Sequence, residues 1–301
     1  MRIGFSLFEE DGDNMMQQKG IDVSKYQGII DWKKVKASGV SFAFIRVGYA
    51  EHEGKVIVDT TFEYNIKNAT SNGVDVGVYL YSYCKTASAA QKAAKEVLAL
   101  VKPYKLTYPV AFDIEDNLYV KFNKTLNAQI ALAFLNEIKA AKYYGILYTY
   151  TYFMDSYLEK NLVKGFDLWI ADYREKLGYK GDYTIWQYSS KGKVDGIKGD
   201  VDLNYGYKDY KSVISSAGLN GAVVEKPKKY GVHVFSFDTK EQAYNVLQSL
   251  KLLNLYSEIR LLETKKYGVL IFSFESLARA VEVSQALKLL KNYYSEIKVI
   301  N

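Results

Sequence analysis

Over the first two thirds of the chain, strand-like stretches alternate with helix-like ones, and this order restricts the fold more than any other feature. Strands are predicted at 20–24, 40–47, 77–83, 108–116, 145–150, 168–173, 184–188 and 199–204. Helices are predicted at 31–35, 60–72, 88–101, 125–144 and 153–161. Strands separated by helices pair in parallel through right-handed crossovers. About eight strands in such a span predict an α/β fold closed as an irregular (β/α) barrel, with reactive groups gathered where strands end. Asp22, Tyr81, Asp113, Glu115, Trp169 and Asp202 all fall late in their predicted strands or just beyond them. That convergence on one rim says more than any single residue.

The stretch 108–116 carries the chemistry. Val110, Phe112 and Ile114 alternate with Ala111, Asp113 and Glu115, the period of a strand. Asp113 and Glu115 then share a face, roughly 7 Å apart at a strand's rise per residue. Neighbouring carboxylates hold one proton more tightly, so one group serves as acid while the other stays ionised. Glycosidases use this division of labour. An isolated pair of this kind equally fits a helix cap or a solvated strand end; the other rim residues favour the site. A 7 Å separation lies between the retaining range of ~5–5.5 Å and the inverting range of ~6.5–9.5 Å, so spacing leaves the stereochemistry open.

Composition narrows the classes. With 301 residues, 49% of them hydrophobic and 25% charged, the chain can bury a core and form two domains or one large one. Cys84 is the only cysteine, which excludes an intrachain disulfide. His52 and His233 are the only histidines, too few for a histidine-rich metal site, and no metal or other cofactor is expected. Cys84 and His52 formally make a nucleophile pair, but Cys84 follows an apolar, tyrosine-rich run and reads as core. Net charge of +6 is mild. It suits an anionic polymer such as a Gram-positive wall, and no basic block marks a nucleic-acid partner. No run approaches the ~18 apolar residues of a membrane span. The 28 tyrosines supply platforms for sugar rings, or simply a tyrosine-rich core. Residues 1–18 carry Glu9, Glu10, Asp11 and Asp13 and no apolar signal segment, so a flexible extension is expected. The protein is then expected to stay in the cytoplasm of the producing cell until it is released to the wall.

The main domain is expected at 19–212, a linker at 213–228 and a second domain at 229–301. The second domain is an internal repeat: K-Y-G-V-H-V-F-S-F at 229–237 returns as K-Y-G-V-L-I-F-S-F at 266–274. Two β-α-β units in series predict a ferredoxin-like βαββαβ domain. Asp238 and Glu241 suggest a capping box for its first helix. Ala243, Val246, Leu247, Leu250 and Leu253 form that helix's buried stripe. Val232 and Val234 on one face of the leading strand, and Phe235 and Phe237 on the other, leave an apolar face for a ligand or for a homodimer.

Gly20-Ile21-Asp22-Val23-Ser24, Gly77-Val78-Tyr79-Leu80-Tyr81-Ser82-Tyr83, Pro109-Val110-Ala111-Phe112-Asp113-Ile114-Glu115, Trp169-Ile170-Ala171, Trp186-Gln187-Tyr188 and Asp200-Val201-Asp202-Leu203-Asn204 stand in one register. Together they resemble the glycoside hydrolase family 25 muramidases, the lysozymes of autolysins and phage endolysins. The resemblance covers about residues 19 to 210. It implies cleavage of the β-1,4 bond between N-acetylmuramic acid and N-acetylglucosamine, with retention assisted by the substrate's acetamido group. It places the acid on Glu115, its partner on Asp113, and further acidic residues on Asp22 and Asp202. Substrate contacts fall on Tyr79, Tyr81, Tyr148, Trp169 and Gln187. Leu80 stands where many members carry His or Trp. The resemblance favours a phage endolysin acting on a Gram-positive, clostridial-type wall, ahead of a host autolysin, a muramidase-like enzyme acting on chitin or another amino-sugar polymer, or a wall-binding protein without activity. The repeat at 228–301 is similar in pattern to SPOR-type modules and to clostridial endolysin wall-binding domains. This implies that Phe235 and Phe272 bind bacterial peptidoglycan or anionic wall polymers.

Overall fold

Eight strands form a ring in the first of two units, which span 1–224 and 225–301. The computed structural model describes residues 17–222, 229–251, 257–262, 264–274, 276–291 and 295–300. In chain order the first unit holds β1 Gln18–Val23, α1 Trp32–Ala37, β2 Phe42–Ala50, β3 Val56–Val58, α2 Phe62–Ser71, β4 Asp75–Ser82, α3 Ala87–Val101 and β5 Val110–Asp113. It continues with α4 Lys124–Ala140, β6 Gly145–Tyr150, α5 Thr151–Tyr157, α6 Lys160–Val163, β7 Asp167–Ala171, β8 Ile185–Gly192, β9 Val201–Gly206 and α7 Tyr210–Ala217. The ring runs β1-β2-β4-β5-β6-β7-β8-β9 and returns to β1. All its pairings are parallel except the two made by β9. Strand β3, absent from the sequence prediction, pairs antiparallel with the end of β2.

Alternation along each strand sorts side chains into two layers. Ile21, Val23, Ile45, Val78, Val110 and Phe112 face outward, in one cluster with Ala90, Ala94, Val97 and Phe134 of the covering helices. Phe42, Phe44, Tyr108, Tyr148 and Trp169 fill the ring's interior. Phe42 stacks on Tyr108 at 4.6 Å, and Phe44 on Trp169 at 4.4 Å. Glycines make the room: a Cβ on Gly20 would lie 2.1 Å from the Phe42 ring, and one on Gly77 would lie 2.7 Å from Phe44. The lower interior is thus packed solid, which leaves only the upper end for chemistry.

Three boundaries differ from the sequence reading. Gln18 already belongs to β1, and its side chain accepts a hydrogen bond from Tyr108, so the extension cannot reach residue 18. The rest of it, residues 1–16, lies outside the described residues. The expected linker begins later than residue 213, because Asp209 caps α7 and Gly218 ends it in the left-handed conformation. Ile214 of α7 is buried, as is Asn220, whose side chain donates to the Leu106 and Tyr108 carbonyls. The expected helix 153–161 is two short helices, α5 and α6.

The second unit comprises β10 Lys229–Phe237, α8 Lys240–Lys251, β11 Ser257–Leu261, β12 Tyr267–Phe274, α9 Leu277–Lys291 and β13 Ser295–Ile300. Its strand order β11-β12-β10-β13, all antiparallel, is the ferredoxin-like βαββαβ arrangement. Val232, Val234, Val269 and Ile271 pack against Ala243, Val246, Leu247 and Leu250 of α8 and Ala280, Val283 and Leu287 of α9. The capping pair is Thr239 with Gln242, not Asp238 with Glu241. Thr239 Oγ1 accepts from the Gln242 N–H, and Gln242 Oε1 accepts from the Thr239 and Asp238 N–H groups. Leu253 and the side chains of Phe235 and Phe272 lie outside the described residues.

Candidate active site

Where the parallel strands of the ring end, Asp22, Asp113, Glu115 and Asp202 lie close enough to act on one another's charge. Asp22 and Asp113 point into the ring by the parity that turns Ile21, Val23 and Phe112 outward. Asp202 is reached differently from the expectation. It opens β9 rather than ending it, because β9 runs antiparallel and begins at the rim where its neighbours finish. The register then sets Asp202 directly across from Asp22.

Strand β5 stops at Asp113, so Glu115 stands beyond the strand and not on it. The backbone there is still held. The Ile114 N–H donates to the Tyr148 carbonyl at 3.1 Å, and Thr149 Oγ1 donates to the Ile114 carbonyl at 2.7 Å. Asp116 then turns the chain by accepting from the Leu118 N–H at 2.8 Å, and it also accepts from the Tyr81 hydroxyl at 3.1 Å. Of the four carboxylates only Glu115 lines the groove beside the ring, a cavity of about 580 Å³ shared with Tyr150, Tyr152, Asp172, Tyr173 and Arg174.

A hydrogen-bonded network fixes the floor. Gln187 Nε2 and Asn204 Nδ2 both donate to Asp22 Oδ2, at 2.9 and 2.8 Å. Gln187 Oε1 accepts from the hydroxyls of Tyr148 at 2.9 Å and Tyr173 at 2.7 Å. Asn204 Oδ1 accepts from the Trp169 indole at 2.7 Å. An indole N–H only donates, so it settles which way the Asn204 amide faces. Asp113 differs: its Oδ1 is buried without a partner.

Burial, Asp202 and Asp116 push the Glu115 carboxyl up to about 7, against a hydrogen bond from Tyr148 that favours the charged form. Burial lifts Asp202 to about 6. Burial and the Asp202 charge raise Asp22 despite its two amide donors. Asp113 is raised too, by burial, Glu115 and Asp22, with Arg46 opposing. Both members of the Asp113–Glu115 pair are thus shifted upward in the free site. Four carboxylates crowd this end of the ring, and Arg46, which opposes the shift of Asp113, is already paired with Asp59 at 2.7 Å.

Several expected substrate contacts are buried in the free chain, as Asp113 is. Trp169 is 1% exposed beneath Asn204, and Gln187 is 2% exposed; both brace the floor. Tyr148 is buried, and its hydroxyl reaches Gln187 and Glu115. Tyr79 and Tyr81 are half-buried on β4. Cys84 is fully buried and its thiol is pushed up to about 11, so the Cys84–His52 pair has no thiolate to offer. Sequence reasoning missed Asn204, Arg46, Tyr173 and the Asp172–Arg174 pair. Parity gave a signal for two of them: Asn204 follows Asp202 by two, and Arg46 follows Phe42 and Phe44 by the same step. Tyr173 and Arg174 lie in the loop after β7, where no period applies.

The model of the family described as Glycosyl hydrolases family 25 matches residues 21–197. An autolytic lysozyme of Clostridium acetobutylicum is 32% identical over 193 residues, covering 62% of this chain and 55% of that protein. The solved structure of the modular autolysin LytC of Streptococcus pneumoniae aligns with TM-score 0.57 and 31% identity, over 64% of this chain and 47% of that one. A family 25 glycosyl hydrolase of Bacillus anthracis aligns with TM-score 0.57 and 26% identity, over 65% and 92%. The chain thus spans about half the length of the first two.

Proposed function

The chain belongs to glycosyl hydrolases family 25, and from that premise we propose that its ring unit is a lysozyme-type N-acetylmuramidase. It hydrolyses the β-1,4 bond between N-acetylmuramic acid and N-acetylglucosamine in peptidoglycan. The observation that carries this reading is Glu115: a carboxyl held near 7, at the wall of a 580 Å³ groove, over a floor of three buried or half-buried carboxylates.

A leaving sugar oxygen needs a proton as its bond to C1 breaks, and titration at about 7 keeps about half of Glu115 protonated at neutral pH to supply it. Asp113 offers its unpartnered Oδ1 to the N–H of the substrate's 2-acetamido group. That bond aims the acetamido carbonyl oxygen at C1, and Asp113 in its ionised form stabilises the positive charge developing on the acetamido group. The acetamido oxygen closes on C1 as the leaving group departs. Glu115, now a carboxylate, takes a proton from the water that reopens the ring, which gives net retention. Asp22 and Asp202 share the proton economy of the floor, and the Gln187–Asn204 network holds them in place.

Purified Gram-positive peptidoglycan treated with the full chain should gain reducing ends and no free amines. Glu115→Gln should release neither while still folding. Lysis near wild type by that variant, or amines in place of reducing ends, would overturn the assignment. The second unit is proposed to hold the enzyme on the wall, which raises the local substrate concentration. Removing residues 225–301 should weaken sedimentation with isolated walls; unchanged binding would leave that unit a dimerising role.

A further inference from the structure

The groove that Glu115 lines also holds a cationic seat whose construction the reaction itself does not need. Arg174 lies in the loop after β7 and lines the same 580 Å³ groove as Glu115. Its side chain is 62% exposed, yet its pose is fixed. The guanidinium donates through Nε to Asp172 Oδ1 at 2.7 Å and through Nη2 to Asp172 Oδ2, a bidentate fork. The Asp172 side chain is only 4% exposed and is anchored from beneath: Thr151 Oγ1 and the Gly178 N–H donate to Oδ2, each at 2.9 Å. These donors and Arg174 hold the Asp172 carboxyl well below the usual carboxylate range.

Gly178 completes the seat. A Cβ there would lie 2.0 Å from Nη2, 2.3 Å from Cζ and 2.5 Å from Nη1 of Arg174, so the guanidinium rests in space that only glycine leaves open. Among the residues lining the groove Arg174 is the only cation. Besides Asp172, the lining carboxylates are Glu115, which titrates only at about 7, and Asp155, which is paired with Lys160. With Nε and one Nη2 hydrogen committed to Asp172, Nη1 and the remaining Nη2 hydrogen are left for a ligand of the groove that Arg174 lines.

Resting on the muramidase reading, we propose that Arg174 is a specificity residue that binds a carboxylate carried by the muramyl sugar. In a glycan of alternating N-acetylmuramic acid and N-acetylglucosamine, the anionic groups are the lactyl carboxylate where the peptide is absent and the stem-peptide carboxylates where it is present. Chitin carries neither. Tyr152 and Tyr173, 62% and 56% exposed on the same groove, offer apolar faces to the flanking rings. Asp172 and Gly178 are positioning residues that aim the fork.

The test is equilibrium binding of soluble muramyl oligosaccharides to the full chain bearing Glu115→Gln, with and without Arg174→Ala. Three ligands serve: peptide-free with its lactyl carboxylates, the same with those carboxyls amidated, and peptide-bearing. Loss of a charge-assisted fork should weaken the carboxylate ligand roughly ten- to hundredfold and leave the amidated one unchanged. Loss confined to the peptide-free ligand identifies the lactyl group; loss confined to the peptide-bearing one identifies the stem peptide. Gly178→Ala keeps the charge but displaces the guanidinium, and should weaken the same ligand without affecting the amidated one. Equal affinities across all pairs, or equal losses on amidated and carboxylate ligands, would overturn the proposal. Reducing-end release by chains carrying Glu115 runs alongside. Hydrolysis without an arginine effect overturns only this inference, and an arginine effect without hydrolysis overturns only the assigned reaction.

Discussion

A carboxyl held protonated against its nature carries a thermodynamic cost, and Glu115→Gln measures it. Glu115 titrates near 7 in the folded chain against 4.5 as a free side chain. Because the folded value is raised, the folded state binds more protons than the unfolded one between those two values. Stability is full below the unfolded value and falls as pH rises toward 7. At ~1.36 kcal/mol per pH unit the gap corresponds to about 3.4 kcal/mol, which water in the groove reduces to roughly 2–3 kcal/mol. The glutamine side chain of the variant titrates nowhere in this range. The variant should therefore match the parent at pH 4.5 and exceed it by about 2–3 kcal/mol at pH 8.5, or several degrees in Tm for a unit of this size. Relief of Asp113 and Asp202 adds in the same direction. Urea unfolding followed by tryptophan fluorescence is the assay, since Trp32, Trp169 and Trp186 all lie in the first unit and report on it alone. A difference that does not change with pH, or a variant less stable at pH 8.5, would refute the account of how burial sets this group.

Other consequences are checked more simply. The kcat/KM for glycan hydrolysis should fall as pH rises through about 7, as Glu115 loses the proton it must deliver; a rate that keeps climbing to pH 9 would contradict the acid role. Gly20→Ala should destabilise the first unit by roughly 1–3 kcal/mol in a fluorescence-monitored urea melt, since its Cβ would enter the Phe42 ring. Neutral tolerance there would mean that the ring interior is looser than its stacked aromatics suggest.

Much of the molecule was legible because periodicity is a strong signal where one face is buried. Val110 and Phe112 outward with Ala111 and Asp113 inward could be read from the chain, as could the doubled β-α-β pattern of the second unit. Failures came where the period stops. Glu115 looked like a strand residue because Ile114 continues the alternation, but β5 has ended and Asp116 is already turning the chain. Trp169 looked like a platform because aromatic residues at strand ends often are; the indole instead points inward, where Phe44 and Asn204 claim it. Helix α7 was hidden because serine, alanine and glycine in 212–218 resemble a linker. Burial of Ile214 and Asn220 by distant residues is a tertiary fact that local composition does not encode.

The antiparallel strand β9 has a consequence in time as well as in space. It closes the ring by pairing with both β8 and β1, and the hydrogen bond from Asn204 to Asp22 spans 182 residues of chain. Loops of that length close late, after local helices and neighbouring strands have formed. The catalytic floor therefore does not exist in any partly folded form that leaves the seam open, however native its remainder. Hydrolysis by the ring unit, as proposed, would then report that the ring has shut, and a chain cut before β9 should show none.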